Sequence, residues 1–206
     1  GMDTLRKYYA DFGLGAPTGI EIGDTAGRLP SQNEGENLAP WAAFGQANQE
    51  YSPLQLANYI ATLCGGGERY TTHLLKNVRS SGSGTLEYVY DAAPVETVSV
   101  SSENLSAVLA GMHDLAAEGA VSSYFQDCIV DAAAKTGTIQ TGDAKNNNGA
   151  FVCFAPYDDP QIAVAIVIEK GGTGAALAST AVQVLNAYFS NASASSAVTG
   201  ENALLG

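Results

Sequence analysis

The residues with the clearest potential for chemistry form the run Lys-Thr-Gly-Thr at positions 135–138. Small and β-branched neighbours predict a strand here, and a glycine within a strand marks the close approach of another backbone or a ligand. Lys135 supplies a positive charge, while Thr136 and Thr138 supply hydroxyls, a set that suits a carboxylate. The amide N–H groups of a strand edge can also stabilise an oxyanion. We therefore predict a binding edge on which Gly137 leaves room for a substrate backbone.

The same four residues have a simpler interpretation, in which Lys135 is a surface lysine beside the glycine of a β-bulge. A three-residue match of this kind arises by chance in roughly a few per cent of chains of this length. On the motif alone, both the binding edge and the surface lysine remain open.

The surrounding elements predict an α+β fold with segregated helices and strands. Periodicity and capping signals favour helices in MDTLRKYYADFGLG, SPLQLANYIATLCGGG, SSENLSAVLAGMHDLAAEGA and ALASTAVQVLNAYF. Ser52 and Pro53 mark the start of the second of these. Strands are predicted at residues 133–139, 150–155 and 162–168, and together they make an antiparallel sheet of three main strands.

Other segments give weaker signals. Alternating residues between 72 and 100 predict a hairpin or a pair of short strands around SSGSG, and residues 20–22 predict a short strand in a long connection. His113 lies off the apolar stripe of its helix, so we expect it to face solvent. Residues 190–206 resemble a weakly ordered tail.

Composition excludes several classes of protein. With 21 acidic and 9 basic residues the net charge is −12, which disfavours nucleic acid and anionic lipid as partners. The spacing of Cys64, Cys128 and Cys153 suggests buried thiols and no zinc site, and nothing suggests a cofactor or a metal. No run of 18 apolar residues and no signal peptide are present, so no transmembrane or targeting segment is expected in this sequence.

Several stretches resemble the transpeptidase domain of class B, high-molecular-mass penicillin-binding proteins. K-T-G is a motif shared by that family and the serine β-lactamases. FGLGAPTGIEIGDTAGRLP is similar to the family's F-G-x-G-x-x-T-G-I segment, and FGQANQEYSPLQLANYIATLCGGG is similar to its G-Q-G…T-P-L-Q-L-A segment. NGAFVCFAPYDDPQIAVAIVIEKGGTG resembles the strand pair that ends the family's sheet. The matches occur in family order over residues 8–189.

The resemblance implies a role for each residue of the motif. Lys135 would support the substrate carboxylate and the proton transfers at the nucleophile. The hydroxyls of Thr136 and Thr138 would bind that carboxylate, and the Thr138 N–H would form half of the oxyanion hole. Gly137 would let a peptide or a β-lactam lie flat on the strand.

The sequence departs from the family in one respect that matters for catalysis. No serine is followed three residues later by lysine, so the S-x-x-K motif that carries the family's nucleophile is absent. Ser102 and Asn104 spell S-x-N, but at a helix start where the family has no such motif, and a capping role is expected. We interpret residues 1–189 as the C-terminal portion of a serine β-lactamase/penicillin-binding-protein transpeptidase-like fold whose N-terminal part is missing.

The first functional hypothesis is therefore a fragment of a peptidoglycan D,D-transpeptidase that is inactive alone. A natural non-catalytic module that binds stem peptide or a cell-wall protein is the alternative, and a β-lactamase or β-lactam sensor is disfavoured by the G-Q…S-P-L-Q-L-A segment. The parent would bind stem peptides and β-lactams at the outer face of the bacterial cytoplasmic membrane, through an N-terminal anchor outside this sequence. Without the missing lobe, apolar surface on FVCFA and IAVAIVI should be open and favour self-association.

Overall fold

The computed structural model describes residues 1–32, 38–141 and 146–195, with the backbone alone for residues 192–195. Helices and strands are segregated along the chain, which confirms the predicted α+β class. The elements are α1 (Met2–Asp11), α2 (Leu38–Ala43), α3 (Pro53–Cys64), β1 (Glu68–Arg69), β2 (Asn77–Arg79), β3 (Leu86–Val89), β4 (Glu96–Thr97), α4 (Ser102–Ala117), α5 (Ser122–Phe125), β5 (Ala133–Ile139), β6 (Asn148–Ala155), β7 (Ile162–Ile168), a 3₁₀ helix (Gly174–Leu177) and α6 (Ala178–Ser195).

The three predicted strands form one antiparallel sheet in the order β5-β6-β7. In its register Lys135 lies opposite Val152, and Val152 lies opposite Ala165. β6 begins at Asn148, two residues before the predicted start, and β5 and β7 have the predicted bounds. β5 therefore lies at an edge of this sheet.

Helices cover both faces of the sheet. Because side chains alternate along a strand, Phe151 and Cys153 face one core cluster, which α6 and the 3₁₀ helix complete with Leu177, Ala181 and Leu185. On the other face, Phe154 packs with residues of α3 and α4, which include Ile60, Leu63, Leu105 and Met112.

This packing corrects the expected open surface on FVCFA. Phe151 and Phe154 are 1% and 0% exposed, since β6 lies in the middle of the sheet with helices on both faces. The side chains of β7 are half-buried except for the exposed Ile168. The apolar surface that the sequence predicted is therefore limited to β7.

Helix α3 begins as its sequence predicts. The Ser52 hydroxyl accepts from the Gln55 N–H at 3.1 Å, the Gln55 side chain accepts from the Ser52 N–H at 2.8 Å, and Pro53 occupies the first turn. Gln55 is 1% exposed, and its amide donates to the carbonyls of Ala16 and Ala26, each at 2.8 Å. One side chain thus fixes the helix start and the preceding connection together.

The region from 72 to 100 contains the predicted hairpin, formed by β2 and β3, and a second short pair formed by β1 and β4. The strand predicted at residues 20–22 is wrong, because a turn closes there with the Gly23 N–H donating to the Ile20 carbonyl at 2.9 Å. The Glu21 carboxylate accepts from the N–H groups of Leu74 and Leu75. A side chain, and not strand pairing, therefore connects this turn to the segment that precedes β2.

His113, which the sequence predicts to face solvent, is half-buried, with 27% of its side chain exposed. Its ring stacks on Tyr157 with centroids 4.3 Å apart, and Nε2 lies 3.0 Å from both carboxylate oxygens of Asp131. The aromatic and acidic partners both come from segments outside the helix of His113, and together they cover part of its ring.

Helix α6 continues to Ser195 and so includes residues 190–195 of the predicted tail. Residues 190–195 contain alanine, a strong helix former, and neither glycine nor proline, so nothing interrupts the helix. The rest of that predicted tail, residues 196–206, lies outside the described residues.

Candidate functional site

The four residues of the motif lie together on the edge strand β5. Lys135 is exposed, and Thr136, Gly137 and Thr138 are half-buried. The alternation of a strand directs the threonine side chains to the α6 face and that of Lys135 to the α3 and α4 face. The Lys135 ammonium nevertheless reaches the edge, where it donates to the Thr136 carbonyl at 2.7 Å.

The peptide groups of both threonines point away from β6. The Thr138 carbonyl accepts from Nε2 of Gln46 at 2.6 Å, and the Thr136 carbonyl accepts from Lys135. In an antiparallel ladder the N–H and C=O of one residue point to the same side. The N–H groups of Thr136 and Thr138 therefore lie on the open edge of the sheet.

Two glycines allow the backbone to pack tightly beside this edge. A Cβ on Gly137 would lie 3.3 Å from that of Ala150, its partner in β6. A Cβ on Gly174 would lie only 2.3 Å from the carbonyl oxygens of Gly137 and Ala150, so the 3₁₀ helix rests directly on their peptides. The Gly174 N–H also approaches the Thr138 hydroxyl at 3.4 Å.

This arrangement can bind an anion. One ammonium, two hydroxyls and outward N–H groups lie within four consecutive residues, and charge-assisted hydrogen bonds to a carboxylate are stronger than those to a carbonyl. An N–H on a preorganised strand can also stabilise a developing oxyanion.

None of the three cysteines, all of which lie in the described part of the chain, has the lowered pKa of an activated nucleophile. Burial raises the pKa of Cys64 to about 11 and that of Cys153 to about 12, so both are neutral thiols at pH 7. Burial also raises the pKa of the Cys128 thiol. Within residues 1–32, 38–141 and 146–195, no cluster of His, Cys, Asp and Glu could hold a metal ion.

The S-x-N residues lie at the start of α4, as the sequence predicts. Ser102 and Asn104 are exposed, and the capping residue is their neighbour Ser101, whose hydroxyl accepts from the Asn104 N–H at 3.2 Å. The expected capping role thus belongs to Ser101.

Comparison with known families identifies the family of this chain. The sequence model of the penicillin-binding protein transpeptidase domain matches residues 1–189. The chain belongs to this family. Penicillin-binding protein 2A of Bacillus subtilis is 31% identical over 180 residues, which cover 81% of this chain and 25% of that protein. The peptidoglycan D,D-transpeptidase MrdA of Haemophilus influenzae is 28% identical over 217 residues, or 93% of this chain and 33% of that protein.

Solved structures agree with this assignment. Penicillin-binding protein 2B from Streptococcus pneumoniae R6 superposes with a TM-score of 0.82 at 26% identity, covering 92% of this chain and 33% of that one. Penicillin-binding protein A of Mycobacterium tuberculosis shares the fold, with a TM-score of 0.77 at 22% identity over 91% of this chain and 42% of that one. The chain spans about a quarter to a third of the length of the curated relatives named above.

No helix in the part of the chain that the structure describes has the length and apolar character needed to cross a membrane.

The structure also assigns contacts to two residues for which the sequence suggested no role. Gln46 and Gly174 both lie within the segments that resemble the transpeptidase family, but only the fold brings them to Thr138.

Proposed function

We propose that this chain is the C-terminal portion of a peptidoglycan D,D-transpeptidase and carries its substrate-binding strand. The observation that supports this most strongly is the open edge of β5, where Lys135, two threonine hydroxyls and the Thr138 N–H occur together in a chain of the transpeptidase family. The reaction is acyl transfer on stem peptides that end in D-alanyl-D-alanine.

In this proposal Thr136, Thr138 and Lys135 bind the terminal carboxylate of the peptide. A serine from the missing part of the domain attacks the carbonyl of the last peptide bond, the Thr138 N–H stabilises the oxyanion, and D-alanine leaves. An amine of a second stem peptide then attacks the acyl-enzyme, which forms the cross-link and frees the serine. Gly137 allows the peptide to lie against β5.

The chain alone lacks S-x-x-K, and we therefore propose that it is inactive by itself. The same absence favours the second candidate, a natural non-catalytic module that binds stem peptide or a cell-wall protein. The coding sequence upstream of Met2 separates the two: S-x-x-K in the same reading frame supports the enzyme, and a true start at Met2 supports the module.

The proposed partners are stem peptides and β-lactams, bound by the full-length parent. The parent would act at the outer face of the bacterial cytoplasmic membrane and be held there by an anchor outside this sequence. Nucleic acid is not a proposed partner, because a net charge of −12 repels phosphates.

A fluorescent penicillin tests the enzyme hypothesis. We expect no covalent label on the 206-residue chain and one labelled serine, located by mass spectrometry, in the parent that contains the upstream segment. In that parent, Lys135→Ala should slow acylation about a hundredfold or more, since it removes the charge that binds the carboxylate.

The matched control is Lys76→Ala, which removes an exposed lysine at the start of the β2–β3 hairpin and should leave acylation unchanged. A labelled serine within the isolated chain would overturn the proposed inactivity. Wild-type acylation of the Lys135 variant would overturn the proposed site.

A further inference from the structure

The side chain of Gln46 is hydrogen-bonded to the end of the proposed substrate-binding strand. Its Nε2 donates to the Thr138 carbonyl at 2.6 Å, and its Oε1 accepts from the Gln140 N–H at 3.3 Å. A primary carboxamide offers a donor and an acceptor side by side. Gln46 therefore takes the place that a neighbouring strand would have along this part of the edge.

The segment that carries Gln46 is itself ordered by backbone contacts. The Gln46 N–H donates to the Trp41 carbonyl at 2.9 Å, and the preceding Gly45 has a φ of +84°, a value that glycine adopts without strain. A tight turn at the end of α2 thus directs the carboxamide towards β5. The half-buried position of Gln46 limits competition from water for both bonds.

Thr138 needs such support because it follows Gly137, which has no side chain to restrict its backbone. Two contacts hold Thr138 in position: Gln46 bonds its carbonyl, and the Gly174 N–H approaches its hydroxyl at 3.4 Å. The carbonyl and the N–H of Thr138 point to the same edge, so a contact that fixes the first also constrains the second.

We propose that Gln46 is a positioning residue, which closes the β5 edge beyond Thr138 and holds the Thr138 N–H in place for the reacting carbonyl. This inference rests on the proposed function, since it assigns the oxyanion-stabilising N–H to Thr138. Gln46 acts through β5 and does not touch the substrate. The edge available to a peptide ends at the Thr138 N–H, because Gln46 is already hydrogen-bonded to the Thr138 carbonyl and the Gln140 N–H.

The first test measures the contact in the 206-residue chain, independently of any enzyme activity. Gln46→Met keeps the length of the side chain and removes both hydrogen bonds. We expect amide hydrogen exchange at Gln140, followed by NMR, to become at least about tenfold faster in this variant. The control is Gln49→Met in the same segment, whose amide donates to the Ala42 carbonyl at 3.0 Å.

The second test uses the longer parent and separates positioning from mere loss of structure. Acylation by a fluorescent penicillin is resolved into a non-covalent binding constant and a rate constant for the chemical step. We expect Gln46→Met to slow the chemical step about tenfold or more, with little change in binding, since displacement of an oxyanion donor acts on the transition state.

Gln46→Glu tests whether the hydrogen bond that Gln46 donates carries its role. The carboxylate has no proton to donate to the Thr138 carbonyl, whereas the protonated acid again has one donor and one acceptor. The acylation rate of this variant, relative to wild type, should therefore rise as the pH falls towards the ordinary glutamate pKa of about 4.3.

Unchanged exchange at Gln140 in Gln46→Met would overturn the proposed contact. Wild-type acylation rates for Gln46→Met in a parent that is itself acylated would overturn the positioning role. If the wild-type parent is not acylated at all, the proposed function fails and the positioning role with it, while exchange at Gln140 still decides whether the contact exists.

Discussion

The ammonium of Lys135 is paired with the backbone of its own strand. The ammonium donates to a backbone carbonyl of its own strand at 2.7 Å, and its side chain is exposed. This bond is already charge-assisted because its donor is ionised, and a carboxylate acceptor would add the attraction between two opposite unit charges. Under the proposed function, the substrate carboxylate would displace the Thr136 carbonyl and take the ammonium as its partner.

Gly174 is the residue at which a small change should have the largest effect on this edge. In Gly174→Ala the new methyl group would lie 2.3 Å from two backbone carbonyl oxygens, which cannot move without breaking the β5–β6 pairing. We expect a loss of about 3 kcal/mol in the free energy of unfolding, measured by urea denaturation.

The control for this prediction is Gly111→Ala on the exposed side of α4, where a Cβ would have nothing within 4 Å. Replacing glycine by alanine within a helix should stabilise the chain by up to about 1 kcal/mol. A Gly174→Ala variant as stable as wild type would contradict the packing described here.

For single residues, the sequence predicted only what neighbours along the chain determine. The four residues of the Lys-Thr-Gly-Thr run are consecutive, so their types and a strand pattern were enough to place them on one edge. Gln46 and Gly174 lie 92 and 36 positions from Thr138, and no local pattern links residues at such distances.

Among the elements, α3 depends on one buried polar side chain. Gln55→Leu would leave the carbonyls of Ala16 and Ala26 and the N–H of Ser52 without their partner. Because Ala16 and Ala26 are exposed and each of the three lost hydrogen bonds contributes about 1 kcal/mol, we expect this variant to lose about 3 kcal/mol of unfolding free energy. Urea denaturation followed by circular dichroism measures the change.

Two further variants calibrate that result. Ser52→Ala removes only the cap and should cost about 1 kcal/mol. Gln126→Leu changes an exposed glutamine and should stay within about 0.5 kcal/mol of wild type. A cost for Gln55→Leu no larger than that of Ser52→Ala would show that the bonds to Ala16 and Ala26 contribute little.

Elements with strong periodicity or capping signals were predicted well, and those that depend on distant partners were not. Ser52 and Pro53 gave the start of α3, and alternation gave β5, β6 and β7 with bounds close to those observed. Residues 20–22 form a turn whose Glu21 carboxylate accepts from Leu74, and His113 stacks on Tyr157. The sequence did not predict either contact, because in both cases the partner comes from another segment.

For the whole molecule, attraction between apolar groups competes with repulsion between like charges. Trp41 and Phe44 are 47% and 61% exposed with ring centroids 5.2 Å apart, while the net charge is −12. We expect the isolated chain to self-associate at high concentration. Salt should increase this association, because added ions screen the repulsion between copies.

Sedimentation velocity at increasing protein and salt concentrations tests this expectation. The double variant Trp41→Ser/Phe44→Ser should shift the chain towards monomer. Tyr124→Ser, which changes a 42% exposed aromatic residue on α5, serves as the control. A monomer under all these conditions would contradict the prediction.

The separation of Gln46 from Thr138 also affects how the chain is made in the cell. Gln46 leaves the ribosome 92 residues before its partner, and Gly174 follows 36 residues after Thr138. Gln46 is therefore available as soon as β5 emerges, whereas the opposite edge of β5 has no partner until β6 has been synthesised, and bare strand edges readily pair with the wrong chain. Slow synthesis across residues 140–155 would lengthen the exposure of that edge, so recombinant yield should depend on translation speed in this stretch.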